Sequence, residues 1–191
     1  MPYGERLGEA VSYAARAHRD QRRKGTQVPY VTHLLAVAAI VGENGGTEDE
    51  VVAALLHDAP EDQGGEARLE DIRKRFGEEV AGIVAGNTDT FEDPKPPCRQ
   101  RKESYVARIA HEPESVRLVS AADKLHNARS ILADLRSSGD ELWQRFNGGK
   151  EGTLWYYRAL IEAFETAGSN PVVEELDRVV AEMEHLSGKR A

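Results

Sequence analysis

The chain has 191 residues, 33 acidic and 25 basic, with a formal charge of −8 when its six histidines are neutral. Hydrophobic residues make up 40% and charged residues 30%, too apolar for a disordered chain and ordinary for a globular one. A chain this long buries roughly 70% of the surface its unfolded form exposes, so one domain over residues 1–191 is expected. The longest apolar run, Leu34 to Val41, is far short of a membrane span. Glu5, Arg6 and Glu9 stand where a secretory leader needs apolar residues, so an intracellular, cytoplasmic protein is expected. The single cysteine, Cys98, excludes an intramolecular disulfide and a cysteine zinc site. An acidic total argues against nucleic acid as a partner, because phosphate backbones are held by basic surfaces. The cations are nonetheless grouped, at Arg22-Arg23-Lys24 and from Lys95 to Lys102. That grouping suits a small anion better than a duplex.

In chain order the pattern is helical almost throughout. Leu7, Ala10, Val11, Ala14, Ala15 and His18 recur at helical spacing and predict a first amphipathic helix. Gly25 and Pro29 punctuate a loop, and a second helix is expected from near Thr32 to Gly45-Gly46. Thr47 and Glu50 have capping-box spacing, opening a helix through Val51, Val52, Leu55 and Leu56 that reaches His57-Asp58. APEDQGG reads as a loop. Leu69, Ile72 and Phe76 mark a short helix stopped by Gly77, and Val80, Ile83 and Val84 another. Three prolines make Asn87 to Cys98 the longest loop. A helix around Tyr105 follows, then a long one opened by Pro113 and carrying Val116, Val119, Ala122, Leu125, Ala128, Leu132 and Leu135. A short helix over 142–146, one over 154–167 and a last one opened by Asn170-Pro171 complete an all-α chain of about eight to ten helices.

Four features sit oddly in this pattern. His57-Asp58 ends an apolar run, where a histidine ordinarily satisfies the last helix carbonyls. Asp123 lies among alanine, valine and leucine, and an unpaired buried carboxylate is costly. A helical ion partner three or four positions away would relieve it, and only His126 qualifies among Val119, Ser120, His126 and Asn127; a metal ion is the other remedy. His33 opens the second helix with no acid within one turn, and alone reads as a core histidine. Glu61-Asp62 alone reads as a solvated acidic loop. Together, His33, His57, Asp58 and Asp123 supply nitrogen and oxygen donors from three predicted helices, a mixture suited to Mn²⁺, Fe²⁺ or Zn²⁺.

The order His…His-Asp…Asp resembles the HD superfamily of metal-dependent phosphohydrolases. RRKGTQVPYVTHLLAVA, VVAALLHDAPED and VRLVSAADKLHNAR resemble successive boxes of the hydrolase domain of RelA/SpoT homologues, with single-domain small alarmone hydrolases similar in length. The resemblance runs from about residue 14 to 135, leaving the helices over 140–187 to complete an HD-type bundle. It implies a divalent ion, Mn²⁺ in this branch, held by His33, His57, Asp58 and Asp123. It implies that Glu61 and Asp62 position and activate the attacking water, and that Arg22, Arg23, Lys24, Asn127 and Ser130 face a nucleotide. Asp123, Asn127 and Ser130 share one helical face, consistent with this assignment. The family usually has proline after the first metal histidine where this chain has Leu34, a change expected to have little effect. No synthetase domain is expected, so alarmone synthesis is excluded. Lys150, Tyr156 and Tyr157 stand where a substrate lid could sit, although Trp155 and both tyrosines read first as core.

The implied activity is hydrolysis of the 3′-pyrophosphate of guanosine tetra- or pentaphosphate to GDP or GTP plus pyrophosphate, by a metal-activated water. Two alternatives stand beside it: an HD-type phosphatase acting on another phosphorylated nucleotide such as NADPH, and a nucleotide-sensing module without turnover.

Overall fold

The structure, a computed structural model, describes residues 3–92 and 94–188; the remaining ends of the expected 1–191 domain, and Asp93, lie outside the described residues. Among the described residues the ten α-helices are α1 (Glu5–Ala17), α2 (Val31–Glu43), α3 (Glu48–Leu56), α4 (Ala59–Gln63), α5 (Gly65–Phe76), α6 (Glu78–Asn87), α7 (Cys98–Ile109), α8 (Glu114–Ser138), α9 (Gly149–Ala167) and α10 (Pro171–Gly188). A 3-10 helix, Gly139–Arg145, joins α8 to the segment before α9. Among the described residues the β pairing is an isolated antiparallel bridge between Arg22 and Pro29. No helix among them is long and apolar enough to cross a membrane.

The chain divides into two compact units: Met1–Lys95 with Pro113–Ala122, and Pro96–Glu112 with Asp123–Ala191. In the first, α3 is the central element, contacted by α1, α2 and α6, while α5 packs on α4 and α6. Its sequence explains this position. Val51 through Leu56 are apolar on every side of the helix, and all six are at most 4% exposed. The Thr47 capping box closes the start of α3: Thr47 Oγ1 accepts from the Glu50 N–H at 3.3 Å, and Glu50 Oε2 accepts from the Thr47 N–H at 2.7 Å. Gly77 ends α5 and begins α6 with φ of 96°, a conformation that favours glycine.

In the second unit α9 packs against α7, α10 and the 3-10 helix. Leu160, Phe164, Leu176, Val180 and Met183 are buried there at 1% exposure or less. Asn170 caps α10, its Oδ1 accepting from the Val172 and Val173 N–H groups at 3.0 Å, with Pro171 in the first helical position. Arg158 of α9 forks onto both carboxylate oxygens of Glu184 at 2.7 and 2.6 Å and also bonds Asp177. These carboxylates hold its guanidinium above the usual arginine range.

The helical periodicity survives contact with the structure: all seven apolar positions expected to line α8 are buried. Three segments differ from expectation, one being α9, which begins at Gly149 rather than at Leu154. APEDQ is a helix, α4, rather than loop, because Pro60 stands in the first turn, where its missing N–H has no acceptor to serve. The short helix expected over 142–146 is the tighter 3-10 helix and starts earlier, at Gly139.

Candidate metal centre and its acidic neighbours

Two helix boundaries in the first unit create the candidate site. His33 lies in the first turn of α2 and is fully buried. His57 and Asp58 form the junction between α3 and α4, with His57 2% exposed. Packing of α2 on α3 brings the two imidazoles together, their ring centroids 5.5 Å apart. The Asp58 carboxylate joins them: its Oδ2 lies 3.0 Å from His57 Nε2 and 3.6 Å from His33 Nε2.

The geometry fixes which nitrogen of His57 offers a lone pair. His57 Nδ1 lies 2.8 Å from the Ala54 carbonyl oxygen, and since a carbonyl only accepts, Nδ1 carries the hydrogen. In the neutral ring Nε2 is then the lone-pair nitrogen, and it faces a carboxylate oxygen. A cation between such groups turns their mutual repulsion into coordination. One donor atom from each of His33, His57 and Asp58 lies within 4.8 Å of the others. Neutral imidazoles and a carboxylate are the donor set of a borderline divalent ion. These residues therefore fit one.

Tyr30, a residue without a role in the sequence reading, organises this cluster. Its hydroxyl donates to Asp58 Oδ2 at 2.6 Å. The ring stacks on buried His18 at 5.2 Å and meets His33 edge-on at 5.4 Å. The guanidinium of Arg23 lies over the same ring, 5.7 Å from its centroid. Of the three basic residues singled out at 22–24, Arg23 is thus the one in contact with the cluster's supporting shell. Arg22 folds back on the Arg19 and Gln21 carbonyls at 3.4 and 3.2 Å, and Lys24 is exposed.

Glu61 and Asp62 follow on α4, each held by a different segment. Glu61 Oε1 pairs with Lys95 Nζ at 2.9 Å, and its Oε2 accepts from the Asp89 N–H at 3.2 Å. Asp62 Oδ2 accepts from Gln21 Nε2 at 2.7 Å. Gln21 is itself fixed, its Oε1 lying 2.7 Å from both His18 Nδ1 and Gln63 Nε2. Protein crowding water away from Asp62 pushes its carboxyl above the ordinary range; Gln21 opposes the shift, and the Asp58 and Glu61 charges add to it.

The remaining candidates belong to the second unit. Asp123 is 6% exposed, and its Oδ1 accepts from Asn127 Nδ2 at 2.6 Å. A cationic neighbour that helical spacing does not suggest is Lys124, whose Nζ lies 2.6 Å from Asp123 Oδ2. A search at helical spacing overlooks the adjacent residue, yet a four-carbon stem reaches back along the helix. Burial disfavours the Lys124 charge, but the Asp123 carboxylate overrides this and raises its pKa well above the usual lysine value. Ser130 Oγ donates to the His126 carbonyl at 3.0 Å. Lys102 sits 4.3 Å over the Tyr156 ring, and Arg99 3.2 Å over that of Trp155. Tyr157 is core at 4% exposure, and Lys150 donates to the Ser187 carbonyl at 2.5 Å.

Comparison with known proteins places the chain in a family. The HD domain matches residues 10–154, a span that includes every candidate site residue named above except Trp155, Tyr156 and Tyr157. The chain is 39% identical over 138 residues to the guanosine-3′,5′-bis(diphosphate) 3′-pyrophosphohydrolase MESH1 of Xenopus tropicalis, covering 71% of this chain and 72% of that protein. It is 40% identical over 128 residues to the MESH1 of Homo sapiens, covering 65% and 69%. A solved structure described as a metazoan ortholog of SpoT that hydrolyzes ppGpp superposes with a TM-score of 0.79 at 28% identity, covering 96% of this chain and 98% of that one. HD-domain hydrolases use a divalent metal ion, in keeping with the donor set of His33, His57 and Asp58. The chain belongs to the HD domain family.

Proposed function

We propose that this protein hydrolyses the 3′-pyrophosphate of guanosine tetra- or pentaphosphate to GDP or GTP and pyrophosphate. Mn²⁺ is the ion, held by His33, His57 and Asp58, with Asp123 as fourth ligand. The observation that carries the reading is the convergence of His33, His57 and Asp58, the last two shortly before two separately tethered carboxylates. The relatives that share this chain's family are named for the same reaction. When bound, the ion supplies Lewis acidity, lowering the pKa of a water and offsetting charge that develops on a phosphoryl oxygen.

The chain's own residues supply the rest. Glu61 and Asp62 orient the attacking water and accept its proton, and burial raises the pKa of the Asp62 carboxyl, which suits it to hold that proton. The water oxygen bonds to the 3′-linked phosphorus, the bond from that phosphorus to the 3′ oxygen breaks, and the departing oxygen takes up a proton. Arg22, Arg23 and Lys24 offset the polyphosphate charge, with Arg23 held against Tyr30. Asn127 and Ser130 contact the nucleotide from the Asp123 face of α8. A cytoplasmic location accords with this substrate.

The test is a product assay on guanosine tetraphosphate with and without Mn²⁺, using the double variant Glu61→Gln/Asp62→Asn as control. Pyrophosphate and GDP from the native protein alone support the reading. Release of orthophosphate from NADPH with no turnover of the tetraphosphate would replace the substrate. Tight nucleotide binding without any turnover would replace the enzyme by a sensor.

A further inference from the structure

We propose that Lys95 is a positioning residue for Glu61, clamping its carboxylate in the orientation used for the attacking water. The inference rests on the reading of Glu61 as one of the acids that handle that water. α4 has only five residues, and the hydrogen bonds of the Glu61 side chain run outside it. Both of its oxygens are instead engaged by the connection between α6 and α7: Oε1 by Lys95 Nζ at 2.9 Å and Oε2 by the Asp89 N–H at 3.2 Å. These partners lie 34 and 28 residues away in sequence, so the clamp is a tertiary feature.

The start of the connection is anchored to α6. Thr88 is 3% exposed, and both its hydroxyl and its N–H donate to the Val84 carbonyl at 3.1 Å, tying the start of the segment to α6. Pro94, Pro96 and Pro97 restrict the backbone on either side of Lys95. Charge supplies the reason for a cation here. Asp58, Glu61 and Asp62 place three carboxylates within five residues, and the Asp58 and Glu61 charges already act on Asp62. Unopposed, that repulsion would drive Glu61, the longest of the three side chains, toward solvent. Lys95 cancels the repulsion while the Asp89 N–H sets the carboxylate plane. Glu61 is 21% exposed and Lys95 44%, so the ammonium reaches the site from its rim.

The experiment compares Lys95→Gln and Lys95→Arg with the native full-length protein. Loaded with Mn²⁺, Lys95→Gln is expected to lower kcat on guanosine tetraphosphate about five- to twentyfold with KM within about twofold, and Lys95→Arg to recover most of it. A rise in KM at unchanged kcat would make Lys95 a substrate contact and overturn the proposal, as would a kcat that does not move. A second measurement needs no turnover. Amide hydrogen exchange at Asp89 should quicken severalfold in Lys95→Gln, with exchange in α6 unchanged, and an unaltered Asp89 rate refutes the clamp. Absence of native turnover with a responsive Asp89 amide would instead remove the hydrolase reading and leave the clamp in place.

Discussion

Replacing Tyr30 by phenylalanine isolates one atom of the proposed metal centre. The ring contacts to His18, His33 and Arg23, at 5.2, 5.4 and 5.7 Å, need only the ring and persist in the variant. What disappears is the 2.6 Å hydrogen bond to Asp58 Oδ2, the oxygen that also faces both imidazoles. A hydrogen bond to a charged group contributes about 1.5–3 kcal/mol. Asp58 is 22% exposed, so water replaces part of the lost donation and the lower end of that range applies. About 1.4 kcal/mol corresponds to roughly tenfold, within the span typical of groups that orient a metal ligand. Competition between the protein and a fluorescent chelator for Mn²⁺ should therefore give a Kd about tenfold higher for Tyr30→Phe. In excess Mn²⁺ the metal-induced gain in stability should fall by about 1.4 kcal/mol. An affinity within twofold of the native value, with the metal-free Tm unchanged, would refute the assignment of Asp58 Oδ2 as a metal donor held by Tyr30.

Two further outcomes follow from packing and charge. Phe164, 1% exposed in the core formed by α9 and α10, should cost about 3–5 kcal/mol on replacement by alanine, read by urea unfolding of the full chain. Asp71 is held below the ordinary aspartate range by Arg75, with the Tyr13 hydroxyl adding to the effect. A lowered acid pKa stabilises the fold above the unfolded-state value, and the contribution is lost as pH falls through the folded-state value. Asp71→Asn should thus destabilise at neutral pH, by less than about 1 kcal/mol for so exposed a group, and the difference from the native protein should shrink as the pH is lowered into the acid range. A deficit equal at neutral and acid pH would mean that packing, not charge, is what the substitution removes.

The long helices were readable because a buried face repeats every three or four residues, as from Val116 to Leu135. Candidate site residues stood out for the opposite reason: His33 and Asp123 interrupt such faces, and a polar group at a core position demands a partner. What the pattern could not show is the partner's identity when it comes from far along the chain. Tyr30 reaches Asp58 across 28 residues and Gln21 reaches Asp62 across 41, and neither distance leaves a periodic trace. Lys124 escaped by being too near, since adjacent helical residues do not face each other and only a long flexible stem closes the gap. Helix α4 was hidden by its own breakers, Pro60 and Gly64, which here mark a start and an end rather than a loop.

The α3–α4 junction delivers His57, Asp58, Glu61 and Asp62 from six consecutive positions, the first two at the boundary and the last two on the short helix that follows. One residue inserted between Asp58 and Glu61 would swing both later carboxylates by about 100° around the axis of α4 while leaving the imidazole in place. The window is therefore intolerant of length change in a way that no single substitution reveals. The tip at residues 24–27 is its counterpart: the Arg23 N–H to Val28 carbonyl bond at 2.9 Å pins its two ends, and extra residues between them only enlarge a surface turn. Among related chains, variation in length belongs at that tip. On the proposed roles of these residues, a copy that gains or loses a residue between His57 and Asp62 is expected to lose the hydrolysis even where all four side chains are still present.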